Sequence, residues 1–164
     1  MSAQQLRHSG YAALDSTFFE CEQDSQYYRQ RNGRSVKTIK ATTLTDTESL
    51  AVVDVHCCIN REHDTKAEPR VVRVPADDLR SVAADNGFQD WHTEYEIAAH
   101  HIEYLVQHRG SQPPAVANNA LLREKGYGQR WMAETSYSTT KRTQDSGLRS
   151  RFWYRQFREI VLLS

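Results

Sequence analysis

The chain has 164 residues with 38% hydrophobic side chains, enough for the core of one globular domain. Its 21 basic and 21 acidic side chains cancel, and this zero net charge by itself argues against a polyanion-binding protein. No apolar run reaches the roughly 18 residues that span a bilayer, the N-terminus lacks a signal-peptide core, and three cysteines form no disulfide framework. These totals predict a soluble cytoplasmic protein without a membrane partner.

The charges are distributed unevenly along the chain. Residues 1–100 carry 11 basic and 16 acidic side chains, a net charge of −5, whereas residues 101–164 carry 10 and 5, a net charge of +5. The C-terminal segment is rich in arginine, whose guanidinium group can bind a phosphate through two hydrogen bonds. Such a segment is either a solvated helical face, which is the commoner case, or a surface that faces phosphates.

The first part of the chain predicts three strands. Residues 11–19 form a short apolar run, residues 34–44 alternate with period two, and residues 50–59 are rich in β-branched side chains. A tight-turn signal at Asn32-Gly33 and short connections favour an antiparallel meander. The polar region 60–70 predicts a loop.

The second part of the chain predicts alternating strands and helices. Residues 80–84 and 102–106 have the pattern of short strands, and residues 110–119, with two adjacent prolines, predict a loop. Residues 91–101 have helical spacing, and the side chains expected along one side of that helix are Trp91, Tyr95, Ala98 and Ala99.

The last part of the chain predicts two helices, one from about Leu121 and another after a break near Gly147. The apolar side of the second helix is expected to consist of Phe152, Trp153, Phe157, Ile160 and Val161. Trp153 and Tyr154 lie among arginines and could stack on bases, but a core position is the favoured interpretation for Trp153. The whole order predicts one α/β domain over residues 1–164, with a mixed sheet flanked by helices.

Four polar side chains share one predicted helical face. At about 100° per residue, Tyr127, Arg130, Glu134 and Lys141 fall within a narrow sector of the helical wheel. This stripe could be a surface ladder of ion pairs, which is common and contributes only tenths of a kcal/mol. It could also be an acid held between cations in a functional site.

Two further acids lie within or at the end of predicted strands. Asp15 interrupts the first apolar run, and Asp85 ends the run of residues 80–84 before a glycine turn. Each could cap the next element, an interpretation that is strong for Asp85. Together with Glu134 they make three carboxylates, the minimum for two-metal phosphoryl chemistry, and carboxylates suit Mg²⁺.

These residues resemble the motifs of a known family. The pattern Tyr127-x2-Arg130-x3-Glu134-x6-Lys141 resembles the YREK signature of prokaryotic insertion-sequence transposases of the DDE class. Leu14-Asp15-Ser16-Thr17 and Asp85-Asn86-Gly87-Phe88 are similar to the motifs that carry the first and second aspartates of that class. Residues 149–161 resemble the segment that follows the signature. The resemblance extends from about Gly10 to Val161.

The resemblance implies an RNase H-like fold and a DNA endonuclease and strand transferase that acts on insertion-sequence ends. Asp15, Asp85 and Glu134 would be catalytic and would bind two Mg²⁺ or Mn²⁺ ions. The expected DNA contacts, to transposon ends and target, are made by Tyr127, Arg130, Lys141 and Arg142.

The resemblance also implies a truncated copy, because relatives usually carry a DNA-end-binding region before the first aspartate and a longer C-terminal end. An alternative is therefore a catalytically inactive remnant that binds DNA or an intact transposase. A homodimer is another possible assembly. A third interpretation is an interaction module whose acids are caps and surface pairs; it predicts that Asp15, Asp85 and Glu134 do not meet in space.

Overall fold

The computed structural model describes residues 9–21, 31, 38–59, 63, 70–72, 78–144 and 147–163. Its centre is a five-stranded sheet in the order β3-β2-β1-β4-β5. The strands are β1 (Tyr11–Glu20), β2 (Thr38–Asp46), β3 (Val52–Cys58), β4 (Ser81–Ala84) and β5 (Glu103–Val106). The predicted turn at Asn32-Gly33, the beginning of the predicted second strand and most of the region 60–70 lie outside the described residues.

The sheet is mixed. β1, β2 and β3 pair antiparallel as a meander, and β4 and β5 join the other edge of β1 as parallel strands. The parallel neighbours β4 and β5 need a crossover connection, which the helix between these two strands supplies. The prediction of a mixed sheet with three antiparallel strands first is confirmed, and the strand order is consistent with an RNase H-like fold.

Helices cover both faces of the sheet. They are α1 (Trp91–Ala99), α2 (Pro113–Glu124), α3 (Trp131–Gln144) and α4 (Trp153–Leu163), with short 3₁₀ helices at Asn86–Phe88 and Tyr127–Arg130. Ile97 of α1 packs on one face in a cluster with Leu14, Leu44 and Val82. On the other face α2 packs on β4 and β5, while α3 and α4 pack on β1 and β2. Among the described residues, no helix is long and apolar enough to cross a membrane.

The loop predicted over residues 110–119 is wrong, because α2 begins at Pro113. Proline is tolerated in the first turn of a helix, where its missing N–H has no partner to lose. Asn119 then fixes α2 to the chain after β5, since its side chain accepts from the His108 N–H at 2.9 Å and donates to the His108 carbonyl at 3.1 Å.

The residues expected along one side of α1 do not face the sheet, and the apolar side expected for α4 is correct only in part. On α1 the buried side chains are Thr93 and Ile97, whereas Trp91 and Tyr95 are 79% and 73% exposed. On α4 the expected Ile160 is buried and the expected Phe157 is half-buried, and Gln156 is buried beside them. Phe152, Trp153 and Val161 are each more than half exposed. Helical spacing identifies residues that share a side of a helix, but the side that faces the sheet depends on where the helix docks.

Candidate active site

The register of the parallel strands brings Asp15 and Asp85 together. Leu14 of β1 and Ala84 of β4 form the last registered pair, and Asp15 and Asp85 are the next residue on each strand. Neighbouring strands lie about 4.8 Å apart, so the two backbone positions are adjacent. The sequence separates these acids by seventy positions, and only the sheet makes them neighbours.

Helix α3 places Glu134 over the same part of the sheet. The Tyr137 hydroxyl, one turn after Glu134, donates to the Ala41 carbonyl at 2.8 Å and approaches the Asp15 carbonyl at 3.3 Å. Ala133 and Tyr137 are buried against the sheet, which leaves Glu134 at the edge of the interface with a half-exposed side chain. The first turn of α3 is therefore held at the level of Asp15.

The electrostatics of Asp15 show that the three acids interact. All the surrounding effects together raise the pKa of Asp15 to about 6. Burial is the largest of these effects, and a hydrogen bond from Ser16 opposes it by lowering the pKa. The negative charges of Glu134 and Asp85 raise the pKa further, while Arg130 lowers it. A buried carboxylate beside two others is unfavourable to ionise, and a bound cation would relieve that cost.

Arg130 lies between the acids. Its guanidinium Nη1 is 2.7 Å from the Glu134 Oε1, and Arg130 is the less exposed partner of this ion pair. Burial alone would lower the pKa of Arg130, but the charges of Glu134, Tyr127 and Asp85 outweigh it and raise that pKa. The pair is one of the i,i+4 contacts expected from the spacing.

Tyr127 lies near Arg130 and Asp85, but not on the same helix as Glu134, contrary to the prediction from the spacing. It does not belong to α3: Gly126 adopts a left-handed conformation, with φ of 83°, and Tyr127 begins a 3₁₀ helix. Its ring packs against Ala83, Leu105 and Leu122. Burial raises the pKa of the Tyr127 hydroxyl, Arg130 lowers it and Asp85 raises it, so Tyr127 faces the same charges.

Lys141 lies further along the same face of β1. Its Nζ donates to the Thr17 Oγ1 at 2.6 Å and lies 5.5 Å from the centre of the Phe19 ring. Thr17 is two residues after Asp15 and so shares its face of the strand. Burial lowers the pKa of Lys141, and the charge of Asp15 opposes that shift. Arg142, the next residue, is exposed to solvent.

The donor atoms suit a divalent cation, although they do not enclose one. Over the described ranges, no group of three or more His, Cys, Asp or Glu side chains is close enough to hold an ion. The Glu134 carboxylate is bound to Arg130, and the Asp85 carboxylate accepts from the Asn86 N–H at 2.7 Å, so its predicted capping contact is confirmed. Asp15 and Asp85 could hold an Mg²⁺ ion through oxygen, and Glu134 could join them by leaving Arg130.

Two residues beside the proposed site were not predicted from the sequence. Tyr137 anchors α3 beside Asp15, and Thr17 positions Lys141. A signal for each was present: Thr17 follows Asp15 by two residues on a strand, and Tyr137 follows Glu134 by three on a helix.

The mixed sheet in the order 3-2-1-4-5, with helices on both faces, is consistent with the RNase H-like class of fold. The family model described as "Transposase DDE domain" matches residues 9–164, and the chain belongs to this family. A comparison with curated proteins finds no significant match. Members of the family are metal-dependent phosphoryl-transfer enzymes, and transposases act on DNA.

Proposed function

We propose that this chain cuts and joins DNA at the ends of an insertion sequence, as a transposase with the YREK signature. The observation that carries the proposal is the strand register that makes Asp15 and Asp85 neighbours on the face of the sheet covered by α3. Asp85 caps the next helix and Glu134 pairs with Arg130, so support for a catalytic site comes from the register of the two aspartates and not from these two contacts.

In the proposed site Asp15, Asp85 and Glu134 hold two divalent cations, Mg²⁺ or Mn²⁺. Bound in this way, the ions would activate the attacking oxygen and stabilise the oxygen that leaves the phosphorus. The reaction is hydrolysis of a phosphodiester to free a 3′-hydroxyl, followed by attack of that hydroxyl on a phosphodiester of the target. Each step forms one P–O bond and breaks one.

The cations of the chain have a separate task, which is to position the DNA backbone. Arg130 and Lys141 lie beside the acids on the same face of the sheet, and Arg142 continues this basic edge into solvent. Phosphate contacts of this kind fix the register of DNA without reading its sequence. Tyr127 lies close enough to Arg130 to orient its guanidinium group. Burial raises the pKa of the Tyr127 hydroxyl, and the nearby Arg130 opposes that shift.

The test is metal-dependent nicking of supercoiled plasmid DNA by the purified chain. Glu134→Gln should abolish nicking in Mg²⁺ and in Mn²⁺ while thermal unfolding and DNA binding remain those of the unmodified protein. Glu124→Gln is a matched control, because Glu124 is an exposed acid at the end of α2. Nicking that survives Glu134→Gln would remove Glu134 from the site.

DNA binding without cleavage is a second candidate function. It is favoured by the Arg130–Glu134 ion pair, which occupies the carboxylate that a metal would need. This function predicts DNA binding that weakens steeply with salt and no nicking at any metal concentration. Both functions require a DNA-binding surface, and the nicking assay separates them.

A further inference from the structure

The beginning of α4 carries a compact group of aromatic rings and a guanidinium that the proposed catalytic site does not use. The rings of Phe152 and Tyr154 are stacked, with centroids 5.8 Å apart and planes inclined by 18°. The guanidinium carbon of Arg155 lies 5.7 Å from the first ring centre and 5.9 Å from the second. We call these three residues the aromatic–arginine surface.

This surface is exposed although the helix that carries it is firmly attached. Phe152 is 57% exposed and Tyr154 is 43% exposed. Beneath them, Gln156 is buried and its side-chain amide donates to the Ser150 carbonyl at 2.8 Å, and Ile160 packs fully buried with Phe19 and Ile39. The rings are therefore held in place by the fold while remaining accessible to a ligand.

The charge around the surface favours an anionic ligand. Residues 147–163 contain four arginines and one glutamate. That glutamate, Glu159, accepts from the N–H groups of Arg149 and Ser150 at 2.8 and 2.9 Å, so its charge is directed to the backbone. A symmetric contact with a second copy of the chain would bring arginines against arginines, which is repulsive.

Stacked rings beside guanidinium groups match the chemistry of an unpaired nucleic-acid strand. Every base has a flat apolar face that stacks on an aromatic ring, and each nucleotide adds one phosphate charge. A duplex hides the faces of its bases, so it could use only the arginines. The stacked geometry of Phe152 and Tyr154 thus distinguishes this surface from an ordinary basic patch.

The position of the surface relates it to the proposed site. Gly147 forms a bridge with Glu20 at the end of β1, and the Leu148 N–H donates to the Glu20 carbonyl at 2.8 Å. Glu20 is five residues after Asp15, or roughly 16 Å along the strand.

We propose that the aromatic–arginine surface binds unpaired DNA bases by stacking, on the same face of the sheet as the proposed catalytic site. The proposal rests on the proposed function for its choice of DNA. An enzyme that opens or uses frayed ends would hold one separated strand here while the acids act on the scissile phosphate.

The experiment measures binding without metal, so that cleavage does not affect it. A fluorescein-labelled oligothymidylate of about 16 nucleotides is titrated with the full chain and followed by fluorescence anisotropy. Phe152→Ala with Tyr154→Ala should weaken single-strand binding about tenfold to a hundredfold. The same pair of changes should alter binding of a duplex of equal length less than threefold.

Matched controls make the result specific. Trp91 and Tyr95 are even more exposed aromatics but lie on α1, on the opposite face of the sheet, and replacing both by alanine should leave single-strand binding unchanged. Arg155→Gln, which keeps both rings, should weaken single-strand binding by an intermediate factor. Circular dichroism and thermal unfolding establish that each variant is folded.

Unchanged single-strand binding in the double variant, an equal loss on duplex DNA, or an equal loss in the α1 control would each overturn the proposal. A dimer in the unmodified chain that the double variant abolishes would assign the surface to a second copy instead. Loss of nicking in Glu134→Gln with single-strand binding retained supports both proposals. Single-strand binding by a chain that never nicks overturns only the catalytic one.

Discussion

Replacing Asp15 by asparagine is expected to stabilise the folded protein while it abolishes DNA cleavage. Burial, together with the charges of Glu134 and Asp85, raises the pKa of Asp15 from 3.8 to about 6. The unfolded chain ionises this group at the lower value, so at neutral pH the folded state carries a charge that it disfavours. At about 1.36 kcal/mol per pKa unit, the cost is about 3 kcal/mol.

The pH dependence follows from the direction of the shift. A carboxyl group with a raised folded pKa destabilises the protein above that pKa, and this penalty disappears as the pH falls to the unfolded value of 3.8. Asp15→Asn should therefore raise the free energy of unfolding by about 3 kcal/mol at pH 8 and by only about 1 kcal/mol at pH 4.5. Urea denaturation at the two pH values, without divalent ions, measures both differences.

Asp46, on the neighbouring strand β2, provides a control in which the pKa is shifted in the opposite direction. It is 1% exposed, and although burial raises its pKa, hydrogen bonds from Ser49 and Ser9 outweigh that effect and hold the pKa at about 2. Its charge stabilises the fold above pH 3.8, and this contribution is lost as the pH falls through about 2. Asp46→Asn should therefore lower the free energy of unfolding by about 2 kcal/mol at pH 8.

The reasoning about Asp15 is refuted if Asp15→Asn is no more stable than the unmodified protein at pH 8. It is also refuted if the gain does not shrink at pH 4.5, because a gain independent of pH would come from packing rather than from ionisation. Mg²⁺ adds a further check: it should stabilise the unmodified protein more than Asp15→Asn, since ligands bind the folded state and the variant lacks one carboxylate.

Three further predictions concern the surroundings of the site. In the absence of DNA, Arg130→Gln should bind Mn²⁺ about two- to fivefold more tightly, because it frees the Glu134 carboxylate from a partly exposed ion pair. Calorimetric titration that shows equal or weaker binding would contradict this prediction. Tyr137→Phe should lose about 1 kcal/mol of stability, because the Ala41 carbonyl loses its 2.8 Å hydrogen bond; a variant as stable as the original in urea would mean that this bond contributes nothing. Gly126→Ala should lower the free energy of unfolding by about 1 kcal/mol and the melting temperature by about 2–4 °C. The cause is the backbone φ of 83° alone, because an added Cβ meets no atom within 4 Å; an unchanged melting temperature would exclude this strain.

Local sequence patterns were sufficient to predict the strands and most helices. The alternation in β2 and the apolar runs of β1 and β3 follow from covering a sheet with side chains, and both are properties of residues close in the chain. The mixed sheet followed from the order of these elements. The prediction failed at Pro113, where two prolines indicated a loop although they begin α2.

Exposure was less predictable than secondary structure. Helical spacing put Trp153 on the apolar side of its helix, yet Trp153 is 56% exposed, and Trp91 on α1 is 79% exposed. Which sector of a helix faces the sheet depends on where the helix docks. On α4 that docking is decided by Ile160 and Gln156, which reach the carboxyl end of β1.

What the sequence determined by itself is the set of candidate acids and cations, because Asp15, Asp85, Glu134 and their motifs occur in an order that resembles the transposase family. The tertiary structure decided how they meet. Strand register makes Asp15 and Asp85 neighbours, and the contact of Tyr137 with β2 sets the height of Glu134 above them. The zero net charge likewise concealed a local excess of arginine on α4. Charge totals and spacing are one-dimensional, whereas the electrostatic field at a site depends on distances that only folding creates.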